Sequence, residues 1–134
     1  MDYEVLPHTA DLRIRARGRT LADLFRGSLR GMSSVMRSAA LEMSPTIKRE
    51  IAIAAPDEPS LLIDFLSEAL SSAQVNREVY NGATFEELTT RSLRAILHGV
   101  PVDAFEKDIK AATYHGVEIK ETDEGYEATV IYDI

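Results

Sequence analysis

The 134-residue sequence contains no cysteine. It therefore has no disulfide framework, no zinc–thiolate site and no thiol nucleophile. No apolar run approaches the roughly 20 residues needed to span a bilayer, and no signal-peptide pattern opens the chain. These absences predict a cytoplasmic protein without a membrane partner.

Basic residues are also comparatively few, with 15 Lys and Arg against 22 Asp and Glu and a formal net charge of −7. Because phosphate backbones require a basic surface, this balance argues against strong direct nucleic-acid binding by the chain alone. An acidic body could instead dock on a basic protein surface, such as that of an RNA-handling enzyme, or the charge could serve solubility alone.

Familiar catalytic motifs are missing as well. The sequence has no phosphate-binding loop, GxGxxG, HExxH or GxSxG pattern. Nucleotide hydrolysis, dehydrogenase chemistry and esterase chemistry therefore find no support.

The apolar periodicity predicts a single α+β domain over residues 1–134. Thr20, with Asp23 three residues later, begins a helix in which Gly27 and Gly31 would let another backbone approach closely. A second helix begins in the turn at 56–60. Its broad apolar stripe predicts that other elements pack against it on more than one side. Strands are expected at 3–6, 12–18, 46–54, 78–80, 85–100, 109–120 and 126–132, with a loop at 38–45 and turns at Asn81-Gly82 and 123–125.

Two aspartates fall on the polar faces of predicted strands at opposite ends of the chain. Asp11 precedes the alternating segment 12–18, and Asp133 ends the last strand beside Ile134, where the chain closes with a carboxylate. Together these groups could supply three hard oxygen ligands, which suit Ca²⁺, Mg²⁺ or Mn²⁺ better than zinc or copper. The alternative is that two solvated strand-end aspartates never meet.

The two histidines of interest have different settings. His8 lies in a turn after Pro7 and could act as a general base, a metal ligand or a loop anchor, or could simply fill a bend. His115 falls on the apolar side of the predicted strand 109–120, so we expect it to point inward. Gly116 beside it could form a bulge that redirects it.

An arginine stripe occupies one face of the predicted strand 12–18 and continues beyond it. It could contact RNA phosphates or an acidic partner, or form a solvated face. The stripe comprises Arg13, Arg15, Arg17 and Arg19.

Three ordered motifs carry a resemblance to a known family across the whole chain. They are Tyr3-Glu4-Val5-Leu6-Pro7-His8-Thr9-Ala10-Asp11, then Ala111-Ala112-Thr113-Tyr114-His115-Gly116-Val117-Glu118-Ile119, and finally Val130-Ile131-Tyr132-Asp133-Ile134. In this order they resemble the archease family.

The resemblance implies two helices packed between two β-sheets, a β/α/β sandwich. It also implies a non-catalytic protein cofactor of the RtcB-type RNA ligase, which joins tRNA halves and other RNA ends using GTP and manganese. Archeases promote guanylylation of the ligase histidine and its repeated turnover. Some are linked to tRNA methyltransferases as chaperone-like modulators, which is the alternative function.

The resemblance further implies a divalent metal site, with calcium the expected ion and manganese or magnesium the functional alternatives, held by Asp11, Asp133 and Ile134. His8 and His115 would support that site or contact the partner. This chain departs from the family at Leu12-Arg13-Ile14, where an Asp-Val-Gly-Ile-like stretch is common. Arg13 thereby places a bulky cation next to Asp11.

Two further readings stay open on the residues alone. The carboxylates and His8 could form a small metal-dependent hydrolase, or the arginine stripe could bind RNA directly with a strong salt dependence. The sequence carries no signal for or against self-association.

Overall fold

The computed structural model describes residues 2–6 and 11–134, so His8 lies outside the described residues and its role stays a prediction. Within those residues the order is two strands, a helix, a strand, a second helix and then five strands, and a short 3-10 helix (Ser38–Glu42) occupies the predicted loop. The strands are β1 (Asp2–Leu6), β2 (Leu12–Gly18), β3 (Ile47–Ala54), β4 (Glu78–Leu88), β5 (Ser92–Pro101), β6 (Ala111–Ala112), β7 (Ile119–Thr122) and β8 (Gly125–Asp133), and the helices are α1 (Leu21–Met36) and α2 (Glu58–Asn76).

The strands form two antiparallel sheets. Sheet A has the order β1-β2-β8-β6, with β7 also paired to β8, and sheet B has the order β3-β5-β4. The predicted fold class, α+β with two helices and two sheets, is confirmed. Neither helix in the described part of the chain is long and apolar enough to cross a membrane.

The second helix is covered on several sides, as its broad stripe predicted. It begins at the N-cap Asp57, whose carboxylate accepts a hydrogen bond from the Ser60 N–H at 2.8 Å, with a proline in the first turn. Phe65 then packs against Phe25 of α1 and Phe85 of β4, with ring centroids 5.5 Å from each. This aromatic cluster ties both helices to sheet B. The buried residues of α2 are Leu61, Leu62, Ile63, Phe65, Leu66, Ala69, Leu70 and Ala73.

The first helix binds sheet A through its glycines. Thr20 caps it by accepting the Asp23 N–H at 3.1 Å, as the sequence predicted. An ideal Cβ on Gly31 would lie 2.7 Å from Ile14 Cγ2, and one on Gly27 would lie 3.0 Å from the Asp2 carbonyl oxygen. The absence of side chains therefore lets α1 approach β1 and β2, which confirms the expected close contact.

The polar side of α1 covers the edge of sheet B. Arg26 Nε donates to the Ala83 carbonyl at 2.8 Å and Arg30 Nη1 to the Asn81 carbonyl at 2.7 Å. Ser33 Oγ donates to the Tyr80 carbonyl at 2.5 Å. These bonds satisfy carbonyls of β4, an edge strand whose exposed polar groups would otherwise invite pairing with another chain.

The predicted turn at Asn81-Gly82 is wrong. Both residues continue β4, where the pairing with β5 shifts register between Tyr80 and Gly82. The chain reverses instead near Thr89, whose N–H donates to the Ser92 carbonyl at 2.9 Å. Tertiary contacts override the local turn signal because α1 and the 3-10 helix segment hold Asn81, whose side-chain amide donates to the Met43 carbonyl at 2.7 Å.

The predicted single strand at 109–120 is also wrong, and with it the inward orientation of His115. Within 109–120 only the residues of β6 and β7 pair with β8, and the segment between these two strands leaves the sheet through a turn at His115 and Gly116. Gly116 has a φ of 62°, a left-handed conformation that suits glycine, so it forms a turn and not a bulge. His115 is consequently exposed.

An ion pair between the exposed Arg49 and the buried Glu78 joins the two edge strands of sheet B. Arg49 donates from Nε and Nη2 to the two carboxylate oxygens of Glu78 at 2.9 and 2.7 Å. The Tyr80 hydroxyl donates to the same carboxylate at 2.9 Å, and burial raises the pKa of Tyr80 to about 12. The Arg49 hydrogen bonds are the main reason that the pKa of Glu78 is lowered.

We expect Gly31→Ala to destabilise the fold by about 1–2 kcal/mol. Alanine favours a helix by about 1 kcal/mol, but the added methyl group would overpack against Ile14 and Tyr3, which typically costs about 1–3 kcal/mol. Urea unfolding measures the difference. Gly82→Ala is the matched control, because nothing lies within 4 Å of its added Cβ. Equal stability of the wild type and Gly31→Ala would contradict the close contact.

We expect Glu78→Gln to make stability less dependent on pH in the acid range. The folded pKa of Glu78 is lowered from its ordinary value of 4.5, so its ionised form contributes stability above that pH. The contribution is lost as the pH falls below about 4.5 and through the folded pKa. Free energies of unfolding measured from pH 7 to pH 3 should therefore converge for wild type and variant at low pH. A constant difference across that range would refute this role.

Candidate functional site at the end of sheet A

The pairing of β2 with β8 brings the two ends of the sequence together. Leu12 pairs with Tyr132 and Arg13 with Ile131. Asp11 immediately precedes Leu12 and Asp133 immediately follows Tyr132, so the two aspartates lie at neighbouring strand ends. Asp133, the last residue of β8, alternates with Tyr132 and belongs to the other face of sheet A. It is the open face, because Leu12 and Tyr132 turn to the buried core.

The end of β8 is fixed by the segment that contains β6. The Lys110 N–H donates to the Asp133 carbonyl at 2.8 Å. Thr113 donates twice to the Ile131 carbonyl, from its N–H at 3.0 Å and from its hydroxyl at 2.8 Å. These bonds hold the backbone that carries Asp133 in a defined position. Sequence reasoning did not find Lys110 or Thr113 as supports, since the contacts depend on pairing between separate segments.

The two aspartates differ in exposure. Asp133 is exposed, whereas Asp11 is half-buried and its Oδ1 atom is shielded from solvent. Ile134, the third predicted ligand, is 39% exposed. The site therefore has one sheltered carboxylate and one that a partner can reach.

The donor chemistry fits a hard divalent cation, since carboxylate and main-chain oxygens are its usual ligands. In the part of the chain that the structure describes, no three side chains of the His, Asp and Glu type form a metal-binding group. A cation here would therefore rely on the two aspartates together with main-chain oxygens of Ile134 or water. The arrangement offers few fixed ligands, which is typical of a weak or partner-completed site.

The loop from Thr113 to Glu118 projects beside this site and is tethered to α2. The Tyr114 hydroxyl donates to the Asp64 carboxylate, and this bond is the main reason that the pKa of Tyr114 is raised. Gln74 Nε2 donates to the Ile109 carbonyl at 2.7 Å, so α2 holds the segment at two points. His115 makes no hydrogen bond to any described residue, and with the 58% exposed Tyr114 it is available for contact with a partner.

The arginine stripe does not form a uniform basic surface. Arg15 pairs with Glu4 of β1 at 2.5 Å, and Arg17 pairs with Glu127 of β8 at 2.7 Å. The apolar Leu6 and Ile131 lie opposite Arg13, which makes no ion pair to a described residue. Its Nε atom is buried and has no hydrogen-bond acceptor there.

Tyr132 lies directly under the site, on the opposite face of the sheet from Asp133. Its side chain is fully buried, burial raises its pKa, and its hydroxyl has no partner among the described residues. The hydroxyl therefore stays neutral and serves packing. No sequence signal distinguished it from the other apolar positions of the last strand.

These features define a class of small α+β protein in which two aspartates lie where β2, near the start of the chain, meets its last strand, β8. The chain belongs to the archease protein family (MTH1598/TM1083), whose family model matches residues 3–134. The resemblance read from the three sequence motifs is thereby confirmed.

Relatives and solved structures agree with this assignment. The chain is 34% identical to the protein archease of Methanosarcina acetivorans, covering 98% of this chain and 95% of the relative, and the values for Methanosarcina mazei are the same. The solution structure of Methanobacterium thermoautotrophicum protein 1598 is similar with a TM-score of 0.76, at 25% identity and with 98% of each chain covered. A crystal structure of an archease from Thermotoga maritima, described as a possible chaperone, has a TM-score of 0.66 at 15% identity, covering 96% of this chain and 94% of that one.

We expect Tyr114→Phe to loosen the loop from Thr113 to Glu118 while changing global stability by less than about 1 kcal/mol. The substitution removes only the hydroxyl that joins the loop to Asp64 of α2, and such exposed bonds contribute little to overall folding. Amide hydrogen exchange should accelerate in this loop and not in β8. Tyr126→Phe, in the β8 strand, is the control. Unchanged exchange in the loop would show that the Asp64 contact does not tether it.

Proposed function

We propose that this protein is a non-catalytic cofactor of an RtcB-type RNA ligase in tRNA splicing and RNA repair. It would promote guanylylation of the ligase and its repeated turnover. The observation that supports the proposal is the pairing of Leu12 with Tyr132, which brings the adjacent Asp11 and Asp133 to the same end of sheet A in a chain that belongs to the archease family.

The proposed working part is the tip of sheet A, defined here as Asp11, Asp133, Ile134 and the loop from Thr113 to Glu118. A divalent cation bound between the carboxylates would supply electrostatic stabilisation of negative charge. Asp11 and Asp133 would hold it, with calcium, manganese and magnesium as candidate ions. His8 and His115 would contact the partner or support the tip.

Several features favour action on a partner and not independent catalysis. Asp133, His115 and Tyr114 are exposed on a projecting edge instead of lining an enclosed cleft. A charged residue that a partner buries gains a stronger electrostatic effect once water is excluded. The net charge of −7 suits a basic partner surface better than free RNA.

We expect Asp133→Ala to abolish stimulation of multiple-turnover ligation and of ligase guanylylation, returning both rates to those of the ligase alone. The variant should fold, because Asp133 is exposed and contributes its backbone to the sheet. Asp123→Ala, an exposed aspartate in the turn at the other end of β8, is the matched control and should stimulate like wild type. Full stimulation by Asp133→Ala would exclude the carboxylate mechanism, and no stimulation by the wild type would exclude the ligase role.

We expect Mn²⁺ or Ca²⁺ to raise the melting temperature of the wild type and not that of Asp133→Asn. A cation at about 100 times its Kd stabilises by about 2.7 kcal/mol, or roughly 5–10 °C for a protein of this size. Without the cation, the variant should melt at the same temperature or higher, because it removes a like charge near Asp11. Calorimetry with and without a chelator measures both effects, and equal metal-induced shifts in the two proteins would place the cation elsewhere.

A second candidate is a chaperone-like modulator of a tRNA methyltransferase. The observation that favours a chaperone-like role is the description of the Thermotoga maritima archease as a possible chaperone. Affinity purification of the tagged protein from its own cells separates the two functions. Recovery of the ligase supports the first candidate, and recovery of the methyltransferase without the ligase supports the second.

A further inference from the structure

Arg13 differs from Arg15 and Arg17 on the open face of sheet A in having no counterion among the described residues. Glu4 neutralises Arg15 and Glu127 neutralises Arg17, each through a cross-strand pair. Arg13 instead lies between Leu6 and Ile131, and its buried Nε has no acceptor among the described residues. A guanidinium held against apolar neighbours without a counterion is a favourable site for an anion.

This unpaired cation adjoins the carboxylate pair. Arg13 is two residues from Asp11, which immediately precedes β2, and across the strands it is diagonal to Asp133. Diagonal neighbours on one face lie about 7–8 Å apart, within reach of a long side chain. The end of sheet A therefore presents two negative groups and one positive group side by side.

Such an arrangement is poorly suited to a bare divalent cation. The positive charge of Arg13 repels a cation bound at the carboxylates, an effect that Coulomb's law puts at about three- to tenfold in affinity at low salt. A cation that carries a phosphate group meets no such penalty, because the phosphate oxygens can accept hydrogen bonds from the guanidinium.

We propose that the tip of sheet A binds a divalent cation together with a phosphate group, with Asp11 and Asp133 holding the cation and Arg13 the phosphate. This inference rests on the proposed function, in which the tip acts where a nucleotide and an RNA end are present. Arg13 would make the site bind a cation that carries a phosphate group on the partner more tightly than a free metal ion in solution.

The test is isothermal titration calorimetry of the full chain with three probes at low salt. The probes are Mn²⁺ alone, the 1:1 complex of Mn²⁺ with a nucleoside triphosphate, and Mn²⁺ with a short oligoribonucleotide that carries a terminal phosphate. We expect the wild type to bind at least one phosphate-bearing probe about fivefold or more tightly than Mn²⁺ alone. Which probe binds more tightly identifies the source of the phosphate.

Arg13→Ala should reverse this preference, binding bare Mn²⁺ about three- to tenfold more tightly and the phosphate-bearing probes more weakly. Arg13→Lys keeps the charge but loses the planar guanidinium, so it should still bind bare Mn²⁺ weakly while losing part of the phosphate preference. Arg15→Ala is the matched control, since its guanidinium is already paired with Glu4. It should behave like wild type.

The outcomes separate this inference from the proposed function. If Asp133→Ala loses Mn²⁺ binding but Arg13→Ala and wild type show the same probe preference, the metal site stands and the phosphate role of Arg13 is overturned. If Asp133→Ala binds every probe like wild type, both the metal site and this inference are wrong. Stimulation of the ligase remains a separate measurement, so its failure is not confused with either result.

Discussion

The antiparallel pairing of β2 with β8 is the constraint on which the candidate site depends. These strands come from opposite ends of the sequence, and the pairing of Leu12 with Tyr132 brings together the strand ends beside Asp11 and Asp133. The pairing also turns Leu12, Ile14, Val130 and Tyr132 into the core, so the register is strongly specified. A slip of one residue would bury charged side chains and expose the apolar ones. Packing of the core and geometry of the site are therefore decided by the same hydrogen bonds.

The first helix makes this arrangement stable by joining the two sheets. Its glycines allow close contact with β1 and β2, and its polar side donates to the edge carbonyls of β4. The helix thereby covers the β4 edge of sheet B, which could otherwise pair with other chains, and it packs behind sheet A. The second helix complements it by holding the 109–114 segment through Gln74 and Asp64. A rigid strand end beside a tethered, projecting loop suits a surface that meets a partner.

Charge is distributed unevenly over the open face of sheet A. At one end, Arg15 and Arg17 are neutralised across the strands, which removes them as a general nucleic-acid surface. At the other end are two aspartates and Arg13, which has no counterion among the described residues. The proposed cation and phosphate site lies at this second end. The selectivity would come from a few charges at one end of a sheet instead of from a large binding surface.

The sequence by itself determined the elements whose signals are local. The alternation of 12–18, the Thr20 cap and the broad stripe of α2 each follow from periodicity or capping within a few residues, and the structure confirms them. Three motifs also sufficed to indicate the family. Tertiary structure alone decided that Asn81-Gly82 stays in a strand, that the 109–120 segment leaves the sheet at His115, and that Arg13 has no counterion in the part of the chain that the structure describes. Those outcomes depend on which distant residues lie opposite one another, and one chain's local pattern does not contain that information.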